Sequence, residues 1–381
     1  MIRSTLVRAI AVTAVLGLSV TACGTTNDNK ASGGKSSAAC GKNLAFLGAE
    51  TGDAGALGLN MVGGIKLALD EYNKKHADCK IGLKEFDSQG SPDKAPALAT
   101  QIVNDDTIIG LVGPGFSGES LATGKTFFQA GLPSISPSAT NVTITQQGWT
   151  TWHRVIGNDD AQGKADAKYL TTTAGAKKVY VVDDAQDYSK GLASVVKTTL
   201  GSASAGYDEI QVKQTDMSAT VTKIKSSGAD AVFYGGYYTE AGLLVKQLRQ
   251  AGFKGTFMSG DGSEDPAFVK AAGASAAEGA VLSAPAAPAP SDFNAKYKAV
   301  NNADAGLYST QAYDSANIFL AALDAGKSTP EDINSFIGSY SGTGASGPIS
   351  FDSKGDITSS TIYAYSVKNG ALDTANPAPI K

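Results

Sequence analysis

The stretch Ile108-Ile109-Gly110-Leu111-Val112-Gly113-Pro114-Gly115-Phe116-Ser117-Gly118-Glu119-Ser120 decides how the rest of the chain is read. It opens as a continuous apolar run, short enough for a strand buried on both faces of a parallel sheet. Gly113, Pro114 and Gly115 break the run, and Ser117 stands where a helix cap belongs. Leu121, Ala122, Phe127 and Phe128 then follow a helical pattern until Gly131 and Pro133. A strand that turns sharply into a helix at a sheet's carboxyl edge presents unpaired N–H groups and the positive end of a helix dipole, which suits an anion. The bland alternative is a strand–helix turn whose serine only caps. The letters also spell Gly113-x-Gly115-x-x-Gly118, the dinucleotide pattern, but two strand-like segments precede it and Pro114 occupies the tight turn. Residues 132–139 offer no acid for a ribose. A nucleotide-dependent enzyme is therefore the remotest reading.

Residues 1–22 read as a secretory leader: Arg3 and Arg8 give a positive start, and Ala9 to Val20 form an apolar core too short and wrongly flanked for a membrane span. Val20-Thr21-Ala22-Cys23 resembles the bacterial lipobox, whose cysteine is lipidated and becomes the new N-terminus. Cys23 would then tether the protein to the outer face of the cell membrane. An ordinary cleaved leader beside an incidental cysteine is the alternative. Residues 23–39 are rich in Gly, Thr, Asn, Ser and Lys and read as a flexible tether.

The formal net charge is −4, and loss of Arg3 and Arg8 makes the mature chain more negative. A mildly acidic chain without a Lys/Arg cluster argues against nucleic acid as a partner. No apolar run of 18 residues follows Cys23. Of the remaining cysteines, Cys40 and Cys79 each stand just before a predicted strand (Asn43–Ala49 and Ile81–Asp87), and consecutive strands of a βαβ unit usually lie side by side. This predicts a Cys40–Cys79 disulfide in an oxidising compartment, two free buried thiols being the alternative.

From Asn43 the pattern alternates strand and helix with short turns, which predicts an α/β fold with parallel sheets. A helix carrying Leu59, Val62, Leu69 and Tyr72 follows the first strand, and Pro92 opens another helix through Asn104. Leu132 to Pro137 gives a short fourth strand. A second alternation begins after Gly157, with strands at Val179–Asp183, Glu209–Gln214, Ala231–Tyr234, Thr256–Ser259 and Ala280–Leu282. Thr239 is placed as the cap of one intervening helix and Gly252 as its end. The Pro-rich run 283–290 leads into a helical block (Asp292–Ala299, Thr310–Ala325, and Pro330–Gly338 capped by Thr329). Pro348–Phe351 and Ile362–Val367 close the chain as strands.

Polar turns fall at strand ends, where open α/β sheets bind ligands: Gly115–Gly118, Ser138–Asn141, Asp184–Tyr188, Gly235–Tyr238 and Gly260-Asp261-Gly262. They bring hydroxyls (Ser117, Thr140), aromatic walls (Tyr188, Tyr237) and one carboxylate (Asp261). A zwitterion needs such a set: N–H and O–H donors for its carboxylate, an acid and aromatic faces for its ammonium. Tyr237 in the core and Asp261 merely shaping a turn are the plainer readings.

Tyr234-Gly235-Gly236-Tyr237-Tyr238-Thr239-Glu240-Ala241-Gly242, Ile135-Ser136-Pro137-Ser138-Ala139-Thr140-Asn141, Asp187-Tyr188-Ser189-Lys190-Gly191 and the closing Gly347-Pro348-Ile349-Ser350-Phe351-Asp352-Ser353-Lys354-Gly355-Asp356 together resemble the leucine/isoleucine/valine-binding protein family, the substrate-binding subunits of bacterial ABC importers. The resemblance runs from Asn43 to the end. It implies a type I periplasmic binding protein: two doubly wound α/β lobes joined by three hinge crossovers, with a small amino acid in the cleft. By that analogy Ser117 and Thr140 take the ligand's α-carboxylate, and Ser138 contributes through its backbone. Tyr188, Tyr237 and Asp261 surround the ammonium, while Phe116 and Leu57 line the side-chain pocket.

The crossovers are expected near Val155–Gly157, Ala284–Ala286 and Ser346–Pro348. Lobe 1 would then comprise 40–156 plus 286–345, and lobe 2 157–285 plus 346–381. Two departures stand out: Asp261 where many relatives carry Glu, and Leu57-Gly58 where several carry Tyr-Gly. The expected partners are a small amino acid and the permease subunits, with the protein a monomer that needs no cofactor. A sensory lipoprotein of the same fold, for an amide or aromatic acid, is the alternative.

An enzyme would need a catalytic set, yet His76 and His153 have no triad-like neighbours in sequence, and no HExxH or CxxC pattern offers a metal. Asp261-x-Ser263-x-Asp265 mimics the start of a calcium loop but lacks its glycine and closing glutamate.

Overall fold

The computed structural model describes residues 39–381; the leader, most of the tether and Cys23 lie outside them. The first sheet is built from β1 (Asn43–Gly48), β2 (Gly82–Asp87), β3 (Ile108–Val112), β4 (Ser134–Ser136) and β5 (Trp152–Arg154), in the order β2-β1-β3-β4-β5 and parallel throughout. α1 (Gly55–Lys75), α2 (Ala95–Val103) and α3 (Ser117–Gln129) connect its strands. Every residue of β3 is buried, as the apolar run required.

The second half repeats the plan. α4 (Asp159–Lys168) leads to β6 (Val179–Asp183), α5 (Asp187–Leu200), β7 (Ser204–Glu209), α6 (Ser218–Ser227), β8 (Ala231–Gly235), α7 (Tyr238–Gln250) and β9 (Thr256–Ser259). α8 (Pro266–Ala272) and α9 (Ala274–Ala277) precede β10 (Val281–Ala284). Its strands run β7-β6-β8-β9-β10, the same winding as the first sheet. In both halves the strand order reverses beside the first strand, and an open α/β sheet forms its ligand crevice at such a point.

α10 (Ser291–Asn301), α11 (Ser309–Asp324) and α12 (Pro330–Gly338) come next, and α10 and α11 pack on α1 of the first half. A hairpin follows, β11 (Ser341–Gly344) with β12 (Gly347–Ser350), and β13 (Tyr363–Lys368) then joins the second sheet antiparallel to β10. β14 (Ala371–Leu372) and β15 (Ala378–Pro379) border β13.

Several local expectations change. The strand expected at Glu209–Gln214 lies five residues earlier, at Ser204–Glu209. The alternation that suggested it belongs to a turn in which Ile210 is buried and Val212 exposed. Pro92 sits in a turn, and the helix begins at Ala95 with Pro96 in its first turn. Ser346–Pro348 does not connect the halves: it belongs to the β11–β12 hairpin, whose turn Asp314 holds by accepting from the Ala345 and Ser346 amides at 2.8 and 2.7 Å.

Three segments do pass between the halves, after β5, after β10 and before β13. They meet at Gly157, where a Cβ would come within 2.1 Å of the Ser360 hydroxyl oxygen and 3.0 Å of Pro285. The Cys40–Cys79 disulfide is formed at the amino ends of β1 and β2, away from the crevice edge. Thr329 caps α12 as expected, accepting from Asp332. Among the described residues no helix is long and apolar enough to cross a membrane.

Candidate functional site

The turns after β1, β3, β4, β6, β8 and β9 converge on a narrow chamber between the two sheets. Leu57, Gly115, Phe116, Ser117 and Ser138 line it from the first half. Tyr188, Tyr237, Asp261 and Gly262 line it from the second, and Tyr308 comes from the start of α11. Phe116, Tyr188 and Tyr237 also border a wider crevice of about 570 Å³ that opens outward. By the same measure the inner chamber is about 10 Å³, room for about one water molecule. Anything larger enters only if the walls part.

Two helices point their amino ends at this chamber, and each begins in an unexpected way. Ser117 and Thr239 were placed as caps, but the capping positions belong to Phe116 and Tyr237, both in extended conformation. An aromatic cannot accept from the helix N–H groups, so the usual side-chain cap, worth about 1 kcal/mol, is absent. Glu119 restores half of a capping box by accepting from the Phe116 amide at 3.2 Å. In return the two rings face each other across the chamber with centroids 5.8 Å apart, and Tyr188 stands 5.3 Å from Tyr237. The substitution places an apolar wall where a serine would have placed a hydroxyl.

Ser117 is buried in the first turn of α3, where the leading amides have no partner within the helix. Its Oγ accepts from the Asn141 amide at 3.2 Å. Ser138 donates through its hydroxyl to the Gly115 carbonyl, tying the two polar turns of the first half together. Thr140 is fully buried just behind the lining. Its carbonyl accepts from the Asp159 amide at 2.9 Å. Asp159 is itself fully buried, and that burial raises its carboxyl pKa to about 7 against the opposing pull of the Thr140 hydroxyl.

Asp261 forms the opposite pole. It is 1% exposed, and its Oδ1 accepts from the Tyr188 hydroxyl at 2.7 Å, which in turn accepts from the Gly262 amide at 3.0 Å. Its Oδ2 accepts from the Tyr308 hydroxyl. Burial raises its carboxyl pKa, and these phenol donors oppose the shift by favouring the anion. A carboxylate offers about four lone-pair sites; the two phenols take two of them, and the Gln162 side chain also favours the anion. Asp265, the other acid of the calcium-like pattern, caps α8 through the Ala267 amide, and Ser263 bonds to the Gly236 carbonyl, so that pattern is consumed by local structure.

The structure therefore brings together Leu57, Phe116, Ser117, Ser138, Tyr188, Tyr237 and Asp261 on one chamber and sets Thr140 immediately behind it. Sequence reasoning missed Tyr308. It lies outside every polar turn at a strand end, and its one local signal, a left-handed backbone at φ +70°, is not visible in the letters Gly306-Leu307-Tyr308-Ser309.

Residues 43–371 match the periplasmic binding protein family. The chain belongs to that family. It is 31% identical over 349 residues to the Leu/Ile/Val-binding protein BraC3 of Rhizobium johnstonii, an alignment covering 85% of this chain and 91% of that protein. It is 28% identical to the leucine-, isoleucine-, valine-, threonine- and alanine-binding protein of Pseudomonas aeruginosa, covering 87% and 91%. Its structure is similar to that of the branched-chain amino acid transporter substrate-binding protein LivJ of Streptococcus pneumoniae in complex with isoleucine (TM-score 0.81, 27% identity, 89% of this chain and 99% of that one). The fold is that of a type I periplasmic binding protein.

Proposed function

We propose that this protein is the extracytoplasmic substrate-binding component of an ABC importer, and that it captures a small aliphatic α-amino acid, branched-chain or similar, between its two halves. One observation carries the reading. A buried carboxylate, Asp261, on one half faces the amino end of α3 with Ser117 on the other, so the chamber is polarised in the sense a zwitterion needs. In this reading Ser117 and Thr140 hold the α-carboxylate and Ser138 assists through its backbone. Asp261 holds the ammonium with Tyr188 and Tyr237 around it, and Leu57 and Phe116 contact the side chain.

Ligand touches both halves only when they are together, so binding favours closure, and the closed form is what the permease subunits receive. The hinge consists of residues 155–158, 285–290 and 357–362, which meet at Gly157. Lobe 1 then keeps the β11–β12 hairpin and the turn after it, a boundary further along the chain than the sequence suggested. Export by the leader, lipidation at Cys23 and a monomeric state complete the proposal. No step calls for catalysis.

The test is a thermal-shift and calorimetric screen of the chain lacking its first 22 residues against the common amino acids, with Asp261→Asn alongside. Leucine, isoleucine or valine should raise the melting temperature. Asp261→Asn should weaken binding by about 150-fold or more, because stranding one member of a buried ion pair costs about 3–5 kcal/mol. Equal affinity in the Asp261→Asn protein, or no response to any amino acid, would overturn the assignment.

A further inference from the structure

Thr140 is held by a side chain that does not touch the chamber. Arg154, at the end of β5, is 0% exposed, and its guanidinium reaches four acceptors. Nη1 donates to the Ala139 carbonyl and to the Asn141 carbonyl, both at 3.0 Å, one on each side of Thr140. Nη2 donates to the Thr145 hydroxyl at 3.3 Å, and Nε donates to Asp356 at 2.5 Å. The Thr145 hydroxyl in turn donates to the other Asp356 oxygen at 3.1 Å, and the Trp152 ring lies 5.2 Å from the guanidinium carbon. The Arg154 amide also donates to the Gly355 carbonyl at 2.9 Å.

We infer that Arg154, clamped by Asp356, is a positioning residue for ligand binding: it fixes the Ala139–Asn141 peptides so that Thr140 presents its polar groups to the ligand's charged end. The inference rests on the reading of Thr140 proposed above. With the Ala139 and Asn141 carbonyls taken by Arg154 and the Thr140 carbonyl by Asp159, all three oxygens of the turn are occupied from behind. The Ala139 amide donates to the Ser136 hydroxyl oxygen at 3.0 Å and the Asn141 amide to Ser117, which leaves the Thr140 amide as the turn's backbone donor for a ligand. A planar fork with five N–H donors is what this job requires; a lysine ammonium offers three donors from a single point and cannot span two carbonyls and a carboxylate. Asp356 lies immediately before the segment that enters the second half, so the same clamp joins the ligand turn to the hinge.

The decisive variants are Arg154→Lys and Asp356→Asn, compared with Ile349→Val, a core change in the β11–β12 hairpin. Calorimetry at 20 °C, well below melting, should show at least a tenfold loss of amino-acid affinity in both clamp variants and less than a twofold change for Ile349→Val. Amide exchange of residues 138–141 should accelerate at least tenfold in the clamp variants while that of Gly115 stays the same. If Arg154→Lys fails to fold, the isosteric Asp356→Asn decides, since it leaves the three other guanidinium bonds in place. Affinity within twofold of wild type despite a lower melting temperature, or unchanged exchange at 138–141, would overturn the positioning role. If wild type itself binds no amino acid, the ligand assignment fails, and the exchange measurement still judges the clamp by itself.

Discussion

Tyr308→Phe removes one oxygen and tests whether the two halves grip each other through Asp261 as well as through ligand. Tyr308 enters the chamber from the start of α11, which packs on the first half, whereas Asp261 follows β9 of the second. Their bond therefore exists only when the halves are together. Phenylalanine fills the same space and leaves the φ +70° backbone unchanged, so the perturbation is confined to the hydroxyl.

A hydrogen bond to a charged group contributes about 1.5–3 kcal/mol, which is about 10- to 150-fold in a closed-to-open ratio. Asp261 keeps its Tyr188 donor, so the lower half of that range applies. Apparent affinity scales with the fraction of protein in the competent state, so all amino-acid ligands should weaken by the same factor, about tenfold, when the open form dominates. Calorimetry gives the factor, and small-angle scattering of the ligand-free protein should show a larger radius of gyration for the variant. Unchanged affinity together with unchanged scattering would refute the reasoning. So would a gain in affinity, which would mean that the phenol competes with the ligand's ammonium for the same oxygen.

Two further outcomes follow from groups that do not line the chamber. Glu119 is fully buried, and burial raises its carboxyl pKa to about 8 although the Ser88 hydroxyl and Phe116 amide both donate to it. The folded protein thus holds a proton that the unfolded chain releases near pH 4.3. Its contribution is fully present below that value and is lost as pH rises toward 8, with a slope of up to about 1.4 kcal/mol per pH unit. His153 works in the opposite sense, its pKa lowered by burial to about 4, but only between about pH 4 and 6.5. Melting temperature should therefore fall from pH 6.5 to 8, and Glu119→Gln should flatten that decline; an identical profile would reject the assignment. Reducing the Cys40–Cys79 bridge reopens a 39-residue separation, worth about 4 kcal/mol on the chain-entropy model. It should lower the melting temperature by several degrees and leave amino-acid affinity unaltered, since the bridge sits at the opposite edge of the first sheet from the chamber.

What was legible in the sequence divides along a physical line. Buried strands such as Ile108–Val112 and Val179–Asp183 announce themselves because both faces must be apolar, and most of the chamber's lining follows from asking which polar turns sit at their carboxyl ends. The errors cluster where local preference is overruled by a partner distant in sequence. Glu209–Gln214 alternates like a strand, yet β6 pairs with Ser204–Glu209, and the alternation carries no information about pairing. Pro348 looked like a domain crossing, but Asp314, on a helix more than 30 residues earlier, captures the adjoining turn.

The helix starts at Phe116 and Tyr237 show the same conflict in a more telling form. Capping rules favour Ser117 and Thr239, the nearest good caps, and the structure disregards both. A chain selected only for stability would place a hydroxyl or carboxylate at those positions. That two helices, related by the repeated winding of the halves, both accept the poorer cap, and that both aromatic rings then meet across one chamber, ties the violation to the chamber. Local rules fail together where binding has a competing use for the residue, so the paired failure supports the proposed site independently of any likeness to a relative. Tyr308 extends the point: a non-glycine residue held at φ +70° is costly unless its surroundings enforce it, and here its hydroxyl ends on the carboxylate that the binding proposal needs most.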